Sequence, residues 1–138
     1  PADGHHFLRI PIKDSYSAKL LPHFDAAFEF IEAARASGHK VLVHCLAGIS
    51  RSPTLVIAYV MRAKQVVSDE AYKFVKNLRP TISPNFNFLG QLMEYEKLLR
   101  DQKQMPSPNR RRRWFSLKRS RRPSLLIVGP ASLLALMP

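Results

Sequence analysis

Two apolar segments of different character flank the sequence His44-Cys45-Leu46-Ala47-Gly48-Ile49-Ser50-Arg51-Ser52. Before it, the β-branched run 41–43 predicts a buried strand, and after it residues 54–61 have the spacing of a helix. The sequence therefore predicts a strand, a tight loop and a helix in succession. The single cysteine of the 138-residue chain lies in this loop, and an arginine lies in the first turn of the helix.

The chemistry of the loop follows from this geometry. A turn of this kind directs backbone N–H groups inward, and the positive end of the helix dipole adds to the same concave surface. Both favour the thiolate of Cys45 over the thiol. Arg51, six residues later, can hold two oxygens of a phosphate in bidentate fashion. A lone cysteine is more often a small buried hydrophobe, but the combination predicts a nucleophile in an oxyanion-binding loop.

The Cys-x5-Arg spacing resembles the signature of the protein tyrosine phosphatase superfamily. Two more segments resemble dual-specificity phosphatases of the MAP-kinase phosphatase type: residues 79–92 are similar to their C-terminal signature, and residues 10–15 to their general-acid segment. The resemblance covers about residues 7–100. It implies an α/β fold with a parallel-type central sheet flanked by helices, the cysteine-phosphatase fold.

The resemblance implies a catalytic role for several residues. Cys45 would attack phosphorus and form a phosphocysteine intermediate, while Arg51 would bind the phosphate oxygens. Asp14 would act as general acid and then as general base. Ser52 would stabilise the thiolate as it leaves in the second step.

Other residues of the implied site support the loop. His44 would brace it, and Asn85 would orient it through backbone hydrogen bonds. The phosphate-binding loop itself comprises Leu46, Ala47, Gly48, Ile49 and Ser50. Because the loop and Arg51 supply the positive charge, no metal and no organic cofactor are expected.

Asp14 has a second interpretation, because aspartate commonly caps a turn. It follows the extended run 7–12, and functional residues of α/β sheets usually lie at such strand ends. Asp25, Glu29 and Glu32 fall on the polar face of a predicted helix and are interpreted as solvated. We therefore favour Asp14 as the acid.

Hydrophobic spacing predicts alternating strands and helices. The predicted strands are 7–12 and 41–45; the predicted helices are 22–37, 52–64, 68–79 with Ser68 as cap, and one opened by Ser83-Pro84 that runs to about 101. Phe86 and Phe88 are interpreted as core residues. Only two strands can be identified, and their alternation with helices predicts parallel pairing.

Charge divides the chain into a domain and a tail. Of 22 Lys and Arg residues, nine lie in 103–138, a segment without Asp or Glu, and the net charge is +12. We expect 1–102 to be a partial dual-specificity phosphatase catalytic domain and 103–138 to be a basic, disordered tail. The tail could also be a nuclear localisation signal, a product of an altered reading frame, or a kinase-docking peptide that uses Arg121, Arg122, Leu125 and Ile127.

The chain begins inside the family domain, so we expect an N-terminally truncated catalytic domain that lacks its early strands and is marginally stable. The apolar run 125–137 is too short to span a bilayer, and no specific nucleic-acid binding is expected. A single cysteine fits a reducing compartment, the cytoplasm or nucleus.

The resulting prediction is a protein phosphatase that hydrolyses phosphotyrosine and phosphothreonine or phosphoserine of a MAP kinase. The alternative is a catalytically impaired fragment that still binds phosphoproteins. A lipid or RNA 5′-phosphatase is a lesser alternative.

Overall fold

The computed structural model describes residues 6–102, 125–127 and 133–137. In chain order its elements are β1 (His6–Arg9), a 3₁₀ turn (Leu21–His23), α1 (Phe24–Ala36), β2 (Lys40–His44), α2 (Arg51–Lys64), α3 (Ser68–Leu78), α4 (Phe86–Asp101), β3 (Leu125–Ile127) and β4 (Leu133–Met137). The predicted helices and strands of the first 102 residues are confirmed in type, with ends that shift by a few residues.

The strands form one sheet in the order β1-β4-β2-β3. β2 and β3 pair in parallel, whereas β4 is antiparallel to both β1 and β2. The predicted α/β class is confirmed. The pairing is mixed, however, because the expected parallel neighbours β1 and β2 are separated by an inserted antiparallel strand.

The inserted strand comes from the segment that the sequence predicted to be a disordered tail. Leu134 is paired with Leu8 of β1 on one side and with Val43 of β2 on the other. The prediction is therefore wrong for 125–127 and 133–137, and the rest of 103–138 lies outside the described residues. The physical reason is that β1 and β2 each offer an open edge, which an apolar run can pair with.

The helices bury the faces that their spacing predicted. The buried residues of α1 are Phe24, Ala27, Phe28, Ile31 and Ala34, and those of α4 are Phe88, Gln91, Leu92, Tyr95 and Leu99. An aromatic cluster joins the two helices: the Tyr95 ring lies edge-on to Phe24, with centroids 5.0 Å apart. Edge-to-face contacts of this kind add to the hydrophobic stabilisation.

α2 is the central helix, because ten consecutive residues, 52–61, are buried. It contacts β2 and the three other helices. A helix that is apolar on all sides belongs in the interior. Its buried position fixes the loop that precedes it.

Three local predictions need correction. Phe86 is 84% exposed, whereas Phe88 is fully buried as expected. Val67, not Ser68, is the N-cap residue of α3, because the Ser68 hydroxyl and N–H bond to Glu96 of α4. α2 begins at Arg51, one residue earlier than predicted.

Within the described residues, no helix is both long and apolar enough to cross a membrane.

The strand pairing predicts that proline at position 134 destabilises the protein. A strand between two partners uses each N–H in a ladder, so Leu134→Pro should lower the free energy of unfolding by about 2–3 kcal/mol. Urea unfolding followed by circular dichroism measures this loss. Leu134→Val, which keeps the N–H, is the control; equal midpoints for the two variants would contradict the pairing.

Candidate active site

Cys45 directly follows β2 and begins the loop 45–50, which ends where α2 starts at Arg51. The residue is 2% exposed. Gly48 has φ +67°, a left-handed conformation that glycine adopts without strain. This turn directs the Gly48 N–H back to the sulfur, with an N to Sγ distance of 3.2 Å. The loop therefore places a backbone donor at the thiol.

The first turn of α2 supplies further stabilisation. The Ser52 hydroxyl lies 3.2 Å from the Cys45 sulfur. Burial raises the pKa of Cys45, but the hydrogen bonds from the Ser52 hydroxyl and the Ser52 and Gly48 backbone, together with the charge of Arg51, outweigh it. The net effect is a pKa below the ordinary value of a cysteine thiol.

A cleft lies next to the sulfur, and desolvation by burial is the largest single effect on the pKa of Cys45. Most of its lining is apolar, and its residues are Ile10, Ile12, Leu20, Val43, His44, Cys45, Arg51, Ser52 and Leu55. Apolar surroundings disfavour a charge, so the donors of the loop are needed to hold the thiolate.

Arg51 joins the loop to the segment that carries Asp14. Its Nη1 donates a hydrogen bond to the carbonyl oxygen of Ile12, 3.1 Å away. The start of α2 is fixed separately: both the N–H and the hydroxyl of Thr54 donate to the carbonyl oxygen of Ser50, at 3.1 and 2.6 Å. The guanidinium thus lies beside the backbone two residues before Asp14.

Asn85 connects three parts of the site. Its N–H donates to the Ser50 hydroxyl at 3.0 Å, and its side-chain Nδ2 donates to Asp14 Oδ1 at 2.8 Å and to the Ser15 carbonyl oxygen at 3.2 Å. Its Oδ1 accepts from the N–H of Phe88 and caps α4. Asp14 is exposed, so this hydrogen bond constrains a carboxylate that solvent can reach.

Two amides of α4, which we call the amide clamp, hold the rest of the acid segment. Asn87 Nδ2 donates to the carbonyl oxygens of Ser15 (3.1 Å) and Ala18 (2.7 Å). Gln91 Nε2 donates to the Ala18 carbonyl oxygen at 2.8 Å and to Asn87 Oδ1 at 2.9 Å. Gln91 Oε1 accepts from the N–H groups of Leu20 and Leu21.

Sequence reasoning missed the amide clamp of Asn87 and Gln91. A signal was present: Gln91 falls one residue before Leu92 on a face that is otherwise apolar, and Asn87 lies four residues before it. A buried glutamine requires partners for its whole amide. The sequence alone could not show that those partners lie about 70 positions away in the acid segment.

The remaining predicted residues differ in exposure. His44 is half-buried at the end of β2, and Gly48 and Ser50 are buried, while Leu46, Ala47 and Ile49 are exposed. The Ile49 carbonyl oxygen accepts from the Ser83 N–H at 2.7 Å. Of the predicted docking residues, Leu125 and Ile127 belong to β3, and Arg121 and Arg122 lie outside the described residues.

The arrangement fits nucleophilic attack on a tetrahedral anion. A buried sulfur with a lowered pKa lies among hydrogen-bond donors at the N-terminus of α2. The Arg51 guanidinium lines the same cleft as the sulfur, and the solvent-accessible carboxylate of Asp14 is hydrogen-bonded to Asn85, whose N–H also bonds to Ser50 of the loop. Within the described part of the chain, no group of three or more His, Cys, Asp or Glu could hold a metal ion.

Comparison with known sequences adds independent evidence. The profile of the family "Dual specificity phosphatase, catalytic domain" matches residues 2–98. Tyrosine-protein phosphatase vhp-1 of Caenorhabditis elegans is 59% identical over 97 residues, 70% of this chain and 15% of that protein. Dual specificity protein phosphatase 16 of Homo sapiens is 52% identical over 118 residues, 86% of this chain and 18% of that protein. The chain thus spans less than a fifth of either relative.

Solved structures are similar as well. A mouse putative dual specificity phosphatase complexed with zinc tungstate superposes with a TM-score of 0.69 at 38% identity, over 72% of this chain and 62% of that one. A human tyrosine phosphatase-like serine/threonine/tyrosine-interacting protein gives a TM-score of 0.62 at 40% identity, over 63% and 58%.

The lowered pKa of Cys45 predicts a pH-dependent reactivity. Alkylation by iodoacetamide, followed by mass spectrometry over a pH series, should have its midpoint at a lower pH in the folded protein than in the urea-unfolded chain. Ser52→Ala removes the hydroxyl donor and should raise the pKa of Cys45; Ser37→Ala, at an exposed site, is the control. Since the folded pKa is the lower one, ionisation of Cys45 stabilises the fold above the unfolded pKa, and that stabilisation is lost as pH falls through the folded value.

The amide clamp predicts that Gln91→Leu lowers the free energy of unfolding by about 2–4 kcal/mol, because it removes the acceptor of the Leu20 and Leu21 N–H groups and the donor to Asn87 Oδ1. Chemical unfolding measures the loss. Gln102→Leu, at an exposed position after α4, is the control. A clamp variant as stable as the control would refute the hydrogen-bond network.

Proposed function

The chain belongs to the dual specificity phosphatase family, and from this membership we propose that it hydrolyses phosphotyrosine and phosphothreonine or phosphoserine of a MAP kinase. The observation that supports this most directly is the buried Cys45 sulfur, whose pKa is lowered by hydrogen bonds and by Arg51. A thiolate at neutral pH is the form that attacks phosphorus.

In the first step of the proposed mechanism, the Cys45 sulfur attacks phosphorus and the bond to the serine, threonine or tyrosine oxygen breaks. Arg51 and the N–H groups of loop 46–50 bind the equatorial oxygens, whose charge must be stabilised during transfer. Asp14, in its protonated form, gives its proton to the leaving oxygen. The product is a phosphocysteine.

In the second step, a water molecule attacks the phosphocysteine and Asp14 accepts its proton. Phosphate leaves and the thiolate returns. The Ser52 hydroxyl, 3.2 Å from the sulfur, stabilises the charge that the leaving sulfur regains. His44 and Asn85 support the loop, Asn85 through its bonds to Ser50 and Asp14. No metal or organic cofactor enters this mechanism.

The loop supports a protein substrate over a polyphosphorylated lipid. Its side chains at Leu46, Ala47, Ile49 and Ser50 are uncharged, so they offer no cation to additional phosphates. The MAP kinase as substrate rests on the resemblance to the MAP-kinase phosphatase type. The single cysteine supports a location in the cytoplasm or nucleus, where thiols stay reduced.

Docking of the kinase through Arg121, Arg122, Leu125 and Ile127 stays a prediction. In the structure Leu125 and Ile127 lie in β3, an edge strand whose Leu126 pairs with Leu42 of β2. The alternative function, a phosphoprotein-binding fragment without turnover, uses the same loop. It differs only in whether the phosphocysteine forms and is hydrolysed.

Hydrolysis of p-nitrophenyl phosphate tests the proposal. The intact chain should release p-nitrophenol in the presence of a chelator, and vanadate should inhibit it. Cys45→Ser should reduce kcat by at least about 10⁴-fold, because no nucleophile of comparable reactivity remains. Release at the same rate by Cys45→Ser would disprove the mechanism.

The variant Asp14→Ala tests the role of Asp14 as general acid and identifies the substrate. This variant should bind phosphorylated MAP kinase without releasing it, and retention should be lost when vanadate occupies the loop. Binding of phosphoprotein by the intact chain without any phosphate release would support the binding-fragment alternative instead.

A further inference from the structure

We propose that an apolar rim around the phosphate-binding loop selects phosphorylated segments with apolar residues next to the phosphoresidue. The rim consists of Tyr16, Leu46, Ile49 and Phe86, which are 80%, 68%, 42% and 84% exposed. This inference rests on the proposed function, since it specifies the substrate of the same site.

Hydrogen bonds join the backbone segments that carry the four rim residues around the phosphate-binding loop. Leu46 and Ile49 belong to the loop that begins at Cys45, and the Ile49 carbonyl oxygen accepts from Ser83 at 2.7 Å. Asn85 is bonded both to the loop, through the Ser50 hydroxyl, and to the acid segment, through the Ser15 carbonyl oxygen. Phe86 follows Asn85 and Tyr16 follows Ser15, so each is one residue from that junction.

The exposure of these residues has no explanation in the fold. Phe86 lies in the first turn of α4. The buried face of this helix includes Phe88 and Leu92 but not Phe86. Tyr16 lies in an irregular segment whose backbone is held by Asn87, while its ring is solvated. Large apolar groups clustered at a binding site are typical of a surface that a partner covers.

The chemistry of the rim defines the partner. None of its four side chains carries a charge, so it offers no ion pair to an acidic or basic flank. A phosphoresidue bound in the loop would place the adjacent residues of the substrate against the rim. Apolar substrate side chains would then bury apolar surface of both partners, which favours binding. Leu46 and Ile49 belong to the phosphate-binding loop itself, which favours a phosphorylated segment as the occupant of the rim.

Two phosphotyrosine peptides test the rim, one with leucine and one with glutamate on both sides of the phosphotyrosine. For the intact chain we expect kcat/KM to be about tenfold higher for the leucine peptide, the effect of burying roughly one large side chain. Phe86→Ser and Tyr16→Ser should remove this preference mainly by raising KM. Each value is expressed relative to kcat/KM for p-nitrophenyl phosphate, which has no flanking residues.

Met93→Ser is the matched control. Met93 is 67% exposed and lies on the same helix as Phe86, about 10 Å further along the axis. It should keep the leucine preference. An equal loss in Met93→Ser, or no preference in the intact chain, would overturn the proposal. Thermal unfolding of each variant excludes loss of fold as the cause.

Other occupants of the rim give different results. If Phe86→Ser converts a dimer to a monomer in sedimentation without changing the peptide preference, the rim is a contact between copies of this chain. If it abolishes binding to phosphatidylcholine vesicles and leaves the preference intact, the rim binds lipid. Either result overturns the proposal.

The test separates this proposal from the proposed function. Peptide binding to Cys45→Ser, measured by fluorescence anisotropy, reports the leucine preference without turnover. Absence of p-nitrophenyl phosphate hydrolysis together with a retained leucine preference would reject the enzymatic function and keep the rim. Hydrolysis of p-nitrophenyl phosphate without a leucine preference would support the enzymatic function and reject the rim.

Discussion

A thiolate at Cys45 requires hydrogen-bond donors around a buried sulfur, because burial alone would favour the neutral thiol. The Gly48 N–H, the Ser52 hydroxyl and the charge of Arg51 meet this requirement. Gly48 lies in the loop between β2 and α2, and Arg51 and Ser52 lie in the first turn of the buried helix α2. The packing of β2 and α2 therefore fixes the donors that stabilise the Cys45 thiolate.

The acid and the nucleophile lie on separate segments, and α4 joins them. Asn85 contacts both the loop and Asp14, and the amide clamp of Asn87 and Gln91 holds the backbone that follows Asp14. Side-chain amides suit this task because each one donates and accepts at once. The segment 15–21 has no regular strand or α-helix before its 3₁₀ turn, so these hydrogen bonds replace the ladder that regular structure would provide.

Two strands of the sheet come from a segment whose basic composition predicted disorder. The basic residues of 103–138 predicted disorder, yet 125–127 and 133–137 pair with β1 and β2. Average charge was a poor guide because strand pairing depends on short local runs and on a free edge elsewhere. The same limit applies to Phe86, whose aromatic character suggested the core although its position at the start of α4 exposes it.

The local sequence pattern predicted the structural features that depend on residues close together in the chain. The strand–loop–helix unit around Cys45, the buried faces of α1 and α4 and the α/β class could be predicted, since they follow from spacing of three and four residues, from β-branched runs and from a glycine in the loop. Contacts between distant segments required the folded chain: the bond from Asn85 to Asp14, the partners of Gln91 and the strand between β1 and β2. The reason is physical. A hydrogen bond depends on distance and direction in space, and separation along the chain fixes neither beyond a few residues.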